Sequence, residues 1–101
     1  MQAYRIAAAG APPALLDTPA PDPAAGEIAV DIAACGLNFA DLLMIEGRYQ
    51  DMPAPPFTLG MEVAGTVTAL GADTAGPPPG TRVAVFGGQG GLAEQGCFPA
   101  A

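Results

Sequence analysis

The sequence predicts a mainly β domain, an irregular β-barrel with one short helix. Three observations carry that prediction. Residues 27–33 alternate apolar and polar, the period of a half-buried strand, and 62–70 and 82–86 read as two further strands. Gly and Pro number 14 and 12 among 101 residues, too many for long helices. Half of the chain is nevertheless apolar (50%), so the glycines and prolines mark turns around a core rather than disorder. The single helix is placed by its ends, since only the stretch from 39 to about 46 carries start and stop residues together. The length is that of one domain, enough to bury a core.

Taken in order, residues 3–9 are short and apolar, and Tyr4 and Ile6 suit a strand. Pro12, Pro13, Pro19, Pro21 and Pro23 then restrict the chain to loop or edge strand. In 27–33, Ile28, Val30 and Ile32 point one way and Glu27, Asp31 and Ala33 the other. Cys35-Gly36-Leu37 turns out of this strand. Asn38 is a good N-cap, and Asp41 stands three residues on, where a carboxylate supports the first turn. Phe39, Leu42 and Leu43 are expected to face the core, Met44 and Met61 to fill gaps or line a pocket, and Gly47 to end the helix. Residues 48–59 form a long Pro-rich loop, a length often tied to function. Gly65 inside the strand 62–70 signals a bulge or a close backbone approach. After a turn-rich connection comes the strand 82–86, and 92–98 is read as a fourth, following the glycines of 87–91.

Charge excludes whole classes of function. Arg5, Arg48 and Arg82 face ten carboxylates, for a net charge of −7. A phosphate backbone or an anionic membrane surface needs clustered positive charge, so no nucleic acid and no membrane partner is expected. Histidine is absent, which removes Ser-His, Cys-His and His-metal chemistry. Cys35 and Cys97 form no metal or redox pair and are expected as free thiols. No run approaches the ~18 apolar residues of a membrane span. Gly10, Pro12, Pro13 and Asp17 break an opening stretch that faintly mimics a signal peptide, so the expected location is cytoplasmic.

Gly88-x-Gly90-x-x-Ala93 follows a strand and mimics a dinucleotide fingerprint, but residues 94–101 leave no room for the helix and strand that must follow. It reads as a glycine hinge. Asp41 and Glu62 are candidate carboxylates, although Asp41 also serves as a helix cap and Glu62 also suits a solvated strand end. Tyr49, at the helix exit, suits either stacking on a planar ligand or anchoring the loop. Arg48 suits an anion contact or a solvated surface.

Two longer stretches go further. Cys35-Gly36-Leu37-Asn38-Phe39-Ala40-Asp41-Leu42-Leu43-Met44 resembles the first signature of zinc-free quinone oxidoreductases. Pro56-Phe57-Thr58-Leu59-Gly60-Met61-Glu62-Val63-Ala64-Gly65-Thr66-Val67 resembles their P-x-x-x-G-x-E-x-x-G-x-V core. Pro79-Gly80-Thr81-Arg82-Val83 is similar to their Pro-Gly-Asp-Arg-Val, with Thr81 for the Asp, and Gly91-Leu92-Ala93-Glu94 to their Gly-Gly-x-Ala-Glu. Order and spacing agree along nearly the whole chain.

That resemblance places residues 1–101 as the N-terminal substrate domain of a medium-chain dehydrogenase/reductase. It implies a mainly β, GroES-like, partly open β-barrel with one short helix. In zinc alcohol dehydrogenases the position of Asn38 carries a Cys ligand and that of Met61 a His ligand. Only Glu62 remains of that set, and the four-Cys lobe is absent, so no metal is expected. The resemblance implies NADP(H), bound mainly by a Rossmann domain that is absent from this chain, and hydride transfer to a small-molecule quinone or enone, which needs little activation. Asn38, Asp41 and Tyr49 are expected at the cofactor, and Met61 and Glu62 at the substrate cleft. No catalytic residue is assigned. The chain alone is expected to be inactive, and a homodimer of the full-length protein would form through the half outside it. The competing readings are a non-catalytic GroES-like binding or assembly module and a zinc dehydrogenase domain with unusual ligands.

Overall fold

The computed structural model describes residues 1–100. Its elements run β1 (Gln2–Ile6), β2 (Ala14–Asp17), β3 (Glu27–Gly36), α1 (Phe39–Ile45), β4 (Phe57–Thr58), β5 (Glu62–Leu70), β6 (Arg82–Phe86) and β7 (Gln95–Pro99). They form two antiparallel sheets, ordered β2-β1-β4 and β6-β5-β3-β7. The fold is mainly β with one helix, and the sheets stay open rather than closing into a barrel.

The chain sews the two sheets together at one corner. Leu59 N–H donates to the Tyr4 carbonyl and Leu92 N–H to the Leu59 carbonyl, at 3.0 and 2.8 Å. Ala93 bridges Ala3, so the segment entering β7 belongs to both sheets. The glycine stretch before it is laid along 58–61: Gly87 and Gly88 donate to the Met61 carbonyl, Gly90 to Thr58 and Gly91 to Gly60. It is a connection between strands, and no helix follows it among the described residues.

Two apolar clusters fill the interior. Ile28, Val30, Val63, Val67 and Phe98 form one inside the larger sheet, with Ile32 at its margin. Ile6, Met44, Phe57 and Leu59 form the other, between α1 and the smaller sheet.

The expected strands are present, with local differences. β2 is an edge strand inside the Pro-rich stretch, as Pro requires. The two-residue β4 lies in the long loop and pairs with β1. β3 runs on through Cys35 and Gly36 instead of turning there. β7 starts at Gln95 rather than Leu92. At Gly65 the register between β3 and β5 shifts, leaving Ala33 unmatched, and an added Cβ would run into the Asp31 carbonyl. Both readings of that glycine hold.

The expected helix face is corrected. Phe39 is 72% exposed and Leu42 55%, and Leu43 is only half-buried; the buried residues of α1 are Asp41 and Met44. A seven-residue helix shows too few turns for its apolar pattern to fix the inward side. Here the side is chosen by a polar contact, the burial of Asp41.

Candidate functional site: the Asn38–Asp41 corner

The first signature stretch spans the end of β3 and the start of α1. Asn38 holds the extended backbone of an N-cap (φ −127°, ψ 154°). The Asp41 carboxylate accepts its N–H at 3.0 Å, the reciprocal arm of a capping box. At the other end Gly47 takes φ 72°, and Gly47 and Arg48 donate to the Met44 and Leu43 carbonyls, which closes the helix as a Schellman motif.

Asp41 does more than cap. It is 6% exposed, and its second oxygen accepts the N–H of Gly60 at 3.2 Å. Gly60 opens the second signature triplet, Gly60-Met61-Glu62. One buried carboxylate therefore joins the two motifs. Gly60 has φ 102°, and an added Cβ would meet Leu92 N at 2.5 Å and Cys35 Sγ at 2.8 Å. Only glycine suits this position.

The Cys35 thiol is wedged between Gly60 and Gly91. Burial first, and the Asp41 charge second, push its pKa above the ordinary 9.0; a backbone hydrogen bond at Glu62 offsets part of this. Cys97 is raised as well, by burial and then by Glu27 and Asp22. Both cysteines are free thiols, as expected.

Around this corner the expected site residues divide. Asn38 Nδ2 is buried and has no hydrogen-bond partner. Glu62 is exposed, directly across from Gly36 on β3 and Phe86 on β6. It lines a shallow groove of about 490 Å³ on the outer sheet face, with Gly36, Ala34, Ala64, Ala84 and Phe86. Met61 is 6% exposed, and its carbonyl anchors the glycine connection. Tyr49 is half-buried against the Ile6–Met44–Phe57–Leu59 cluster, where it anchors its loop. Arg48 pairs with Glu46 at 3.4 Å on the surface.

Sequence reasoning missed Cys35, Gly36, Gly60 and Phe86. The outward position of Phe86 could have been read from the alternation of β6. The others depend on contacts between distant strands.

The corner does not fit a zinc ion. Its donors are an amide, a buried thioether residue, one exposed carboxylate and the single Cys35 thiol, which is wedged between two glycines and held protonated by burial, while Asp41 already serves two backbone N–H groups. Among the described residues no three His, Cys, Asp or Glu gather closely enough to hold a metal.

The alcohol dehydrogenase GroES-like domain profile matches residues 24–101. The chain belongs to this family. It is 45% identical over 69 residues to quinone oxidoreductase-like protein 2 of Rattus norvegicus, covering 68% of this chain and 20% of that protein. It is 42% identical over 83 residues to the synaptic vesicle membrane protein VAT-1 homolog of the same species, covering 82% and 20%. The quinone oxidoreductase of Thermus thermophilus, also solved in complex with NADPH, superposes with a TM-score of 0.80 at 40% identity, over 99% of this chain and 30% of that one. The GroES-like chain thus spans about a fifth of the length of these curated relatives. Its relatives include quinone oxidoreductases of the medium-chain dehydrogenase/reductase superfamily, as the two signature stretches imply. No helix among the described residues is long and apolar enough to cross a membrane.

Proposed function

We propose that this chain is the substrate-side domain of an NADPH-dependent, zinc-independent oxidoreductase that passes hydride to a quinone or a conjugated enone. In this reading a Rossmann domain follows in the intact cytoplasmic protein, supplies most of the NADP(H) contacts and carries the dimer contacts.

The observation that supports it is the Asn38 amide. A buried donor without a partner costs about 1–3 kcal/mol, a cost relieved when a ligand brings an acceptor. A carbonyl oxygen of a quinone, an enone or a nicotinamide carboxamide is such an acceptor. Asn38 occupies the place of a zinc ligand in zinc alcohol dehydrogenases, so the corner offers a neutral hydrogen bond where they offer a Lewis acid. That suits a substrate that accepts hydride readily. Glu62 and Phe86 line the groove on the neighbouring sheet face, Asp41 and Met61 are buried at the corner, and Tyr49 packs on the cluster beneath its loop.

The exposed surface agrees with a missing neighbour. Leu37 is 78% exposed, and Phe39 and Leu42 of the following helix are exposed too, apolar side chains of the kind a second domain covers. Few cations are left for the 2′-phosphate of NADPH, since Arg48 is already paired. The isolated chain is therefore inactive and binds NADPH weakly; micromolar binding in a fluorescence titration of residues 1–101 would contradict this. The function itself is tested by Asn38→Ala in the intact protein. NADPH-dependent reduction of 1,4-benzoquinone should fall by about a hundredfold to a thousandfold, the loss of one hydrogen bond to a reacting oxygen. An unchanged rate would contradict the reading.

A further inference from the structure

We propose that Asp41 is a positioning residue, which sets the spacing between the Asn38 amide and the Gly60-Met61-Glu62 strand entry and touches neither substrate nor cofactor. The inference rests on the functional reading above for its consequence in catalysis, but not for its geometry.

A group that binds a ligand needs a donor or acceptor to spare. Asp41 has none: it is 6% exposed, and both of its oxygens are taken, one by Asn38 N–H at 3.0 Å and one by Gly60 N–H at 3.2 Å. A buried carboxylate loses its hydration and is tolerated when hydrogen bonds replace it. Here the replacements come from two chain segments, with Gly60 19 positions beyond Asp41. The carboxylate thus bonds both motifs and ties the helix start to the strand entry.

Gly60 is held from a second side as well. Its α-carbon packs on the Cys35 thiol and on the backbone of Leu92, and its carbonyl accepts Gly91 N–H at 2.9 Å. The strand entry carrying Glu62 is therefore fixed by β3, its neighbour in the sheet, by the glycine connection and by Asp41 from the helix. Of the three, β3 reaches the strand entry through the Gly36–Glu62 pair, two residues before Asn38, and the Asp41 carboxylate is the link that bonds the Asn38 N–H itself. Without that link the helix start is tied to the strand entry through the end of β3 alone, and a misplacement of about 1 Å can cost a hundredfold in rate.

Asp41→Asn tests this, because the amide keeps the shape but can satisfy only one of the two donors. Amide hydrogen exchange is measured residue by residue in the intact protein, together with steady-state reduction of 1,4-benzoquinone by NADPH. The expected result is exchange at Gly60 and its neighbours faster by about tenfold to a hundredfold, with the central strands β3 and β5 unchanged. In kinetics, kcat falls and the KM for benzoquinone moves by less than about threefold. Unchanged exchange at Gly60 overturns the proposal. So does a uniform rise across all strands, since that is a loss of stability alone, and so does a KM rise with kcat preserved, the mark of a direct ligand contact.

If Asp41→Asn does not fold, the wild-type protein decides: the Gly60 amide should be protected like a strand amide, and exchange as fast as an open loop overturns the link. If the wild type fails to reduce benzoquinone, the proposed function fails, and the exchange measurement still judges the positioning role.

Discussion

The carboxyl of Glu62 lies over the α-carbon of Gly36, its partner across β3 and β5, so that any Cβ at position 36 would collide with it. The glycine of the first signature thereby makes room for the glutamate of the second. Gly36→Ala should displace the end of a flexible side chain, not the backbone. Stability should change by less than about 1 kcal/mol, while benzoquinone reduction by the intact protein falls by about tenfold to a hundredfold as Glu62 turns away. Urea unfolding and steady-state rates measured on the same sample check both halves.

Gly65 makes the opposite case. A Cβ there would strike the Asp31 carbonyl and lie 2.8 Å from Val30 Cγ1, and neither can swing aside at the centre of the sheet. Gly65→Ala should destabilise the fold by about 1–3 kcal/mol, read from the urea midpoint. A neutral result would contradict the close approach of β3 and β5.

The corrected helix face has its own test. Leu59 is fully buried in the cluster beneath α1, whereas Leu42 faces outward. Leu59→Ala should cost about 2–5 kcal/mol in the isolated chain. Leu42→Ala should cost under about 0.5 kcal/mol there. The reverse order would restore Leu42 to the core.

The raised thiols predict a pH dependence. Burial leads the causes for both Cys35 and Cys97, so each holds its proton more firmly folded than unfolded. The stability this contributes is fully present below the ordinary value of 9.0 and is lost as pH rises through the higher folded values. Thermal unfolding should therefore drop above about pH 9, and less steeply in a Cys35→Ser, Cys97→Ser variant. Iodoacetamide should also label the folded thiols more slowly than the unfolded ones at neutral pH.

Much of this was legible in the sequence because it is periodic or local. Ile28, Val30 and Ile32 announce β3, and Asn38, Asp41 and Gly47 bracket α1 through capping chemistry that spans only a few residues. The two signature stretches also named the family. The inward face of α1 was not legible, because two turns do not define a stripe and the deciding contact, from Asp41 to Gly60, joins residues 19 apart. The pairing of β4 with β1 was hidden for a similar reason: two residues, Phe57 and Thr58, carry no period. At the site, Glu62 stands out beside a glycine-bounded strand and Asn38 is named by the resemblance of the first signature, but the burial of Asp41 and Met61 and the packing of Tyr49 arise from the folded corner alone.

The central claim is that hydride passes from NADPH to a quinone or enone without a metal at the Asn38–Glu62 corner. The most direct measurement follows NADPH oxidation by the intact protein, stripped with a strong chelator, in the presence and absence of 1,4-benzoquinone. The account predicts quinone-dependent oxidation at the same rate before and after chelation, with no gain on adding zinc. Oxidation that disappears with the chelator and returns with zinc, or no quinone-dependent oxidation at all, would contradict it.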